Sequence, residues 1–171
     1  MKREFAMVPI GVIRTPHTET AKTPIQPIFA RGIEGVVELE PEFDDGLDDI
    51  EGFTYVYLIY VFDQSGEATL RVKPFLEDEE RGVFATRAPR RPNPIGLSLV
   101  RVLGRDGRRL RVADVDILDG TPLLDIKPYS RRFDERPDAQ SGWQEALDER
   151  DVPRLGRRGC ALPTDDEDDA S

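Results

Sequence analysis

The alternation of apolar and polar positions predicts a chain built mainly from strands. Residues Val37-Glu38-Leu39-Glu40 alternate with a period of two, as a half-buried strand does. The segment 53–62 is rich in aromatic and β-branched residues, which is typical of a central strand. Further strands are predicted at 7–14, 33–40, 70–73, 83–86, 97–103, 110–117 and 123–126. Seven or eight strands separated by Gly and Pro favour an all-β barrel or sandwich.

Turn and helix signals are fewer. Arg105-Asp106-Gly107 predicts a hairpin turn, and Asp119-Gly120-Thr121-Pro122 predicts a second turn. One helical turn is expected at 46–51. Ser141-Gly142-Trp143-Gln144 has the pattern of a capping box, which predicts a short helix over 141–149 with Trp143 anchoring it to the barrel.

Length and composition bound the organisation of the chain. At 171 residues a single domain is expected, placed over 1–150, followed by an extension over 151–171. Its acidic end, 165–169, has no apolar partner and is expected to be disordered. The single Cys160 and the single His17 argue against a disulfide and against a metal site. The sequence shows no signal peptide and no run of ~18 apolar residues, so a cytoplasmic protein without a membrane span is expected.

Charge is unevenly distributed along an acidic chain whose net charge is −10. The stretch 36–51 holds eight acids and no base, whereas 71–111 holds eleven bases and five acids. A basic segment in an acidic protein is a candidate site for an anionic partner such as nucleic acid. In the alternative interpretation, these arginines only pair with the Glu-Asp-Glu-Glu run at 77–80.

The segment 82–98 predicts a stiff, irregular connection between strands. Three prolines surround Arg91 and Asn93, fixing φ and pushing each preceding residue toward extended geometry. Arg87, Arg90 and Arg91 supply planar, permanently charged donors suited to phosphate or carboxylate. A rigid structural crossover without a binding role is the alternative.

The segment 114–129 concentrates charge next to predicted strands. Period two places Asp114 with Asp116 on one face, and Asp125 with Lys127 on one face. Because burying such charges is costly unless they are paired, they face solvent or belong to a site. Asp114 is expected on a surface ladder.

Five ordered motifs resemble the TrmO/TsaA-like family of tRNA (adenine-N6)-methyltransferases, over about residues 8–145. They are PIGVIRTP at 9–16, GLDDIEGF at 46–53, GVFATRAPRRPNPIGLS at 82–98, LDGTPLLDIKPY at 118–129 and SGW at 141–143. The resemblance implies a single-sheet antiparallel β-barrel with one or two short helices. It also implies an S-adenosylmethionine-dependent enzyme that methylates N6 of threonylcarbamoyl-adenosine, beside the anticodon of tRNA, and that works as a homodimer. The absence of a Gly-x-Gly-x-Gly loop opening a helix agrees with a donor site that is not of the Rossmann type.

The resemblance also implies site residues. The donor pocket is expected to hold Pro24, Ile25, Gln26, Asp63, Gln64, Arg87, Leu97, Leu118, Asp119, Gly120, Thr121 and Pro122. Within it, Leu97 and Leu118 would pack on the adenine and Arg87 would take the donor's carboxylate. As general base the candidates are Asp125 and Tyr129, and Arg90, Arg91 and Lys127 are candidates for the RNA contact.

Three positions depart from the family pattern. Relatives often carry His where this chain has Tyr55 and Asp63, and Arg where it has Ile25. Catalysis here therefore cannot depend on a histidine at those two positions. The alternative function is a non-catalytic β-barrel that binds RNA or a nucleotide.

Overall fold

Six antiparallel strands close into a barrel in the computed structural model, which describes residues 3–160. The barrel order is β1-β2-β7-β6-β3-β8, and β4 and β5 form a separate two-stranded sheet. The strands are β1 Gly11–Arg14, β2 Glu34–Leu39, β3 Tyr55–Val61, β4 Arg71–Val72, β5 Arg81–Gly82, β6 Ile95–Asp106, β7 Arg109–Ala113 and β8 Thr121–Pro128. Two short α-helices follow, α1 Arg131–Asp134 and α2 Val152–Arg157. Short 3₁₀ helices lie at Thr20–Lys22, Pro27–Phe29, Pro41–Leu47, Ile50–Gly52, Val83–Ala85 and Gly142–Ala146. The predicted fold class is confirmed.

The prediction was wrong in three places along the strands. Val83–Ala85 is a 3₁₀ turn, because Thr86 donates from both its N–H and its Oγ1 to the Val83 carbonyl, at 3.1 and 2.9 Å. β8 begins at Thr121, so only Asp119–Gly120 of the predicted four-residue turn lies outside the strand. β7 ends at Ala113 because Asp114 turns the chain with φ 67°.

Asp114 is a corner residue and does not belong to a surface ladder. Its Oδ1 accepts from the Gly32 N–H at 2.8 Å, and its Oδ2 lies 3.5 Å from Nε of Arg101. These contacts hold the start of the 114–120 connection against the barrel wall. The prediction for Asp114 was therefore wrong.

The interior of the barrel is filled by one side of each strand. On β3, Val56, Leu58 and Tyr60 are buried, while the residues between them point outward and are half-buried or exposed. This is the two-residue period of a strand with one face on the core. Tyr60 packs directly over Gly96, where a Cβ atom would collide with the tyrosine ring.

Three of the connections between barrel strands leave the barrel at one end. In the antiparallel register Val61 pairs with Ile95, Tyr60 with Leu123, and Ile13 with Thr121. The connections 15–33, 62–94 and 114–120 therefore meet at this connection end. The 40–54 connection and the β6–β7 hairpin lie at the opposite end.

The C-terminal part of the described chain packs on the connections instead of on the barrel wall. The predicted helix over 141–149 is a shorter 3₁₀ helix, Gly142–Ala146. Its Trp143 donates from Nε1 to the Ala85 carbonyl at 2.8 Å and lies against the Arg81 guanidinium. In α2, Gly156 packs against the Phe29 ring.

The acidic end at 165–169, for which disorder was expected, lies outside the described residues. Within residues 3–160, no helix combines the length and hydropathy needed to cross a bilayer.

Gly96→Ala tests the contact between Tyr60 and Gly96. Because the added methyl group meets the ring of a fully packed tyrosine, we expect the free energy of unfolding to fall by roughly 1–3 kcal/mol. Gly82→Ala is the matched control, since Gly82 is also in a strand but has no atom within 4 Å of the place that its new methyl group would take. Urea unfolding measures both. Equal stability of the two variants would contradict the packing described above.

Candidate active site

Arg87 joins two of the connections at the connection end of the barrel. Its Nη1 donates to Oε1 of Gln26 at 2.7 Å, and Nε2 of Gln26 donates to the Ile25 carbonyl at 2.7 Å. The Ile25 N–H in turn donates to the Gly156 carbonyl at 3.0 Å, so α2 supports this segment. The structure thus brings Ile25, Gln26 and Arg87 together, as the sequence predicted, with Pro24 buried beside them.

The connection that leads into β8 is held rigidly by hydrogen bonds, several of them to residues 13–17. The Asp119 carboxylate accepts from the Thr15 N–H at 3.0 Å, and Oγ1 of Thr121 donates to the Leu118 carbonyl at 2.7 Å. The N–H groups of Asp119, Gly120 and Thr121 donate to the carbonyls of His17, Ile13 and Leu118. Because these N–H groups are already paired, an adenine bound here would have to donate its hydrogen bonds to carbonyl oxygens.

Asp63 and Gln64 form an exposed turn directly after β3. They lie at the connection end, close in sequence to Phe62, whose N–H donates to the Pro94 carbonyl at 2.7 Å. The same barrel end thus carries all the predicted donor residues that belong to connections.

Three arginines keep their charge unpaired at this end. Among residues 3–160, no carboxylate lies within ion-pair distance of Arg87, Arg90 or Arg91. Nε of Arg90 donates to the Glu67 carbonyl at 3.0 Å, and Nη1 of Arg91 donates to the Thr86 carbonyl at 3.1 Å. Backbone carbonyls thus orient these two guanidinium groups while their charge stays free for an anion.

The neighbouring basic side chains, in contrast, are paired with carboxylates. Arg71 pairs with Glu80 at 3.3 Å, Lys73 with Asp78 at 2.7 Å, and Arg81 with Glu77 at 2.6 Å. The interpretation that acids at 77–80 neutralise the basic segment holds for these three residues and fails for Arg87, Arg90 and Arg91.

The barrel wall beside the connections presents an apolar outer face. It consists of the outward side chains of β3 and β6, namely Tyr55, Tyr57, Ile59, Val61, Ile95, Leu97 and Leu99. The predicted adenine-packing residue Leu97 is 45% exposed on this outer face. Its strand neighbour is Ile59.

Asp125, Lys127 and Tyr129 follow one another along the same outer face. Asp125 pairs in register with Ile59, and Lys127 with Tyr57, after a bulge in β8. Lys127 Nζ lies 2.8 Å from Asp125 Oδ2, and the Tyr129 ring lies 6.0 Å from the Tyr57 ring. Asp125 is therefore held in an ion pair with Lys127. Asp125 also borders a hollow of about 280 Å³ at the opposite end of the barrel.

Tyr57, which the sequence did not single out, lies on the outer face among the candidate residues, with its ring 6.0 Å from that of Tyr129. Partial burial raises the pKa of its hydroxyl, Asp134 and Tyr129 raise it further, and Arg87 partly offsets the shift. The available signal was its place between Val56 and Leu58, which puts it on the face opposite the core.

Asp116 is buried in the barrel at the connection end. The sequence predicted only that it shares one strand face with Asp114. Ser98 Oγ donates to Asp116 Oδ1 at 2.6 Å and accepts from Oη of Tyr60 at 3.1 Å. Burial raises the pKa of Asp116 to about 7, an effect that the Ser98 hydrogen bond and the charge of Arg87 partly offset. This buried triad ties the 114–120 connection to β3 and β6.

Comparisons with known proteins agree with this arrangement. The profile of the tRNA-methyltransferase O N-terminal domain matches residues 12–135. A probable S-adenosyl-L-methionine-binding protein of Pyrococcus abyssi is 55% identical over 137 residues, covering 80% of this chain and 74% of the relative. The tRNA (adenine(37)-N6)-methyltransferase of Escherichia coli is 35% identical over 152 residues, covering 83% of this chain and 65% of the relative.

A solved structure extends the likeness to three dimensions. The crystal structure of TrmO from Pseudomonas aeruginosa superposes with a TM-score of 0.70 at 39% identity, covering 82% of this chain and 63% of that one. The chain therefore spans less than two thirds of that relative. Within residues 3–160, no group of three or more His, Cys, Asp or Glu side chains is arranged to hold a metal ion.

Asp116→Asn tests the buried triad through the pH dependence of stability. The folded protein keeps a proton on Asp116 between its ordinary pKa near 3.8 and about 7, where the unfolded chain has lost it. Its contribution to the free energy of unfolding is therefore complete below pH 4 and is lost as the pH rises toward 7. We expect the stability of the native protein, relative to Asp116→Asn, to fall by on the order of 2 kcal/mol from pH 5 to pH 8. Urea unfolding at both pH values measures it, and parallel pH profiles would contradict the burial of this carboxyl.

Proposed function

We propose a function from one premise: this chain belongs to the family of the tRNA-methyltransferase O N-terminal domain. It binds S-adenosylmethionine and transfers the methyl group to N6 of threonylcarbamoyl-adenosine, next to the anticodon of tRNA. The observation that carries this function is the meeting of Arg87, Gln26 and the 118–122 segment at one end of the barrel. Residues 1–150 form the domain that does this, and 151–171 form an extension whose α2 supports the site through Ile25.

The residues at the connection end fit the donor. Arg87 has no carboxylate partner among the described residues, and its guanidinium suits the amino-acid carboxylate. Leu97 and Leu118 offer apolar surface for the adenine, and the carbonyls of the rigid 119–121 turn suit its amino group. Pro24, Ile25 and Gln26 form one wall, and the Asp63–Gln64 turn supplies a carboxylate near the positive sulfonium.

The chemistry requires mainly alignment. The donor would supply a methyl group carried by a sulfonium: the N6 nitrogen would bond to the methyl carbon as the carbon–sulfur bond on the opposite side breaks, and the sulfur would leave as a neutral thioether. Rigid connections hold the donor's site in place, and good alignment can lower such a barrier by ~7–11 kcal/mol. The target nitrogen belongs to a urea-like group and must lose its proton, for which Asp125 is the candidate acceptor. Tyr129, packed against Tyr57 and Tyr55, is the second candidate and a surface on which the target base stacks.

The RNA contact is confined to the connection end and the outer face of a protein that is acidic overall. Arg90 and Arg91 bind phosphates at the connection end, with Lys127 on the outer face beside the target base. The eight acids of 36–51 run along β2 and into the 40–54 connection at the opposite end. Repulsion between those acids and the RNA is therefore kept at a distance, and binding weakens with salt.

The outer face supports a homodimer. Ile95 and Leu97 are 37% and 45% exposed beside three half-buried apolar neighbours, although side chains of this kind are usually covered. The donor and base candidates Leu97, Asp125 and Tyr129 lie on this same face, so a second copy placed there completes the site. The protein acts in the cytoplasm, where its tRNA substrate is found.

Donor binding and methyl transfer test the proposed enzyme. We expect purified protein to add one methyl group to threonylcarbamoyl-adenosine in tRNA, measured by mass spectrometry of nucleosides. Arg87→Ala is expected to weaken S-adenosylmethionine binding about 10–100-fold by calorimetry, because one charged hydrogen-bond partner is lost. Arg71→Ala, which removes an arginine paired with Glu80, is the control. Donor binding without any mass gain would instead favour the non-catalytic RNA- or nucleotide-binding module.

Leu99→Glu tests the dimer. A charge placed in the middle of the outer face is costly to bury, so sedimentation is expected to show a shift from dimer to monomer. Leu70→Glu, at an exposed position away from this face, should leave the assembly unchanged. A native protein that sediments as a monomer would rule out the assembly.

A further inference from the structure

Phe84 is an exposed aromatic residue beside the unpaired arginines. Its side chain is 74% exposed at the centre of the Val83–Ala85 turn. A single exposed apolar side chain is common in proteins and carries no meaning alone. Here the question is whether the surroundings of Phe84 are suited to a particular kind of partner.

The turn that carries Phe84 is fixed on both sides. Before it, Val83 is buried and donates from its N–H to the Leu70 carbonyl at 3.0 Å. After it, the Ala85 carbonyl accepts from Trp143 at 2.8 Å, and Thr86 bonds back to the Val83 carbonyl through both N–H and Oγ1. The aromatic ring therefore projects from an ordered backbone, which lowers the entropic cost of placing a ligand on it.

Positive charge lies against the turn that carries the ring. Nη1 of Arg91 donates to the Thr86 carbonyl at 3.1 Å, so this guanidinium lies against the same turn. Arg91, like the neighbouring Arg90, has no carboxylate partner within residues 3–160. The acids of 77–80 neutralise Arg81 on the other side of the turn, and Arg81 lies against Trp143.

An exposed, rigidly held aromatic ring next to guanidinium groups fits an unpaired nucleotide. Bases of single-stranded RNA stack on such rings while arginines bind the flanking phosphates. An acidic peptide would use the arginines but not the ring, and an apolar protein surface would use the ring but leave the arginine charges desolvated. The combination therefore favours a nucleotide over either of these partners.

We propose that Phe84 is a stacking platform for an unpaired base of the anticodon loop, other than the base that is methylated. This inference rests on the proposed function, because it takes tRNA as the substrate. It adds a contact on the connections, separate from the predicted donor pocket and from the tyrosines of the outer face. It assigns Arg91 to the phosphate next to the stacked base.

Fluorescence anisotropy with a labelled anticodon stem-loop RNA tests the platform. Phe84→Ala is expected to raise the dissociation constant about tenfold, and Phe84→Tyr, which keeps the ring, to stay within about twofold of the native protein. The dependence of the dissociation constant on salt should be unchanged in both, since no phosphate contact is lost, whereas Arg91→Ala should reduce its slope. Phe5→Ala is the matched control, because Phe5 is 80% exposed and lies outside the connections.

Other results would overturn the inference in separable ways. Equal RNA affinity of Phe84→Ala and the native protein removes the platform but leaves the proposed function standing. A Phe84→Ala protein whose sedimentation changes shows that a second copy covers the ring. If the native protein binds no stem-loop RNA while binding S-adenosylmethionine, the tRNA substrate itself is wrong and the platform is wrong with it.

Discussion

The antiparallel register of β3 is the constraint on which the rest of the structure depends. β3 lies between β6 and β8, and its last residues pair with the first residues of both strands. Because neighbouring strands run in opposite directions, the chain entering β6 and the chain entering β8 arrive at the same barrel end. The proline-stiffened connection and the Asp119–Gly120 turn therefore meet, although they are more than twenty residues apart in sequence. A site composed of loops is rigid here because each loop is bonded to a strand end or to another loop.

The two faces of β3 carry different sets of polar groups. Inward, Tyr60 contributes to the buried triad with Ser98 and Asp116, which anchors the last connection in the barrel mouth. Outward, Tyr57 lies beside Tyr129 and the Asp125–Lys127 pair. Burial raises the pKa of Tyr57 on one side of the sheet and of Asp116 on the other, and the charge of Arg87 partly offsets both shifts. A bound carboxylate that neutralised Arg87 would therefore raise the pKa of both groups.

An acidic protein can bind RNA if some of its arginines have no carboxylate partner. Arg71 and Arg81 pair with nearby carboxylates, whereas Arg87, Arg90 and Arg91 are oriented by an amide or by backbone carbonyls. Carbonyls fix a guanidinium without cancelling its charge. The segment 82–98 that carries these arginines contains no acidic residue. Net charge thus describes the solubility of this protein better than it describes its binding surface.

The pattern of the sequence alone determined the all-β class and most of the strands, whereas the closed barrel and the candidate site residues came from its resemblance to a known family. Local information sufficed for the strands, because a two-residue period reports burial. It could not determine the 3₁₀ turn at Val83–Ala85, since the short apolar run there is consistent with a strand until Leu70 and Trp143 bind it from a distance. Nor could it separate Asp114 from Asp116: a left-handed corner at the first sends the second into the barrel mouth. Tertiary structure alone decided which carboxyl is buried, which arginines stay unpaired and which Phe faces solvent, because each depends on partners that only the closed barrel brings near.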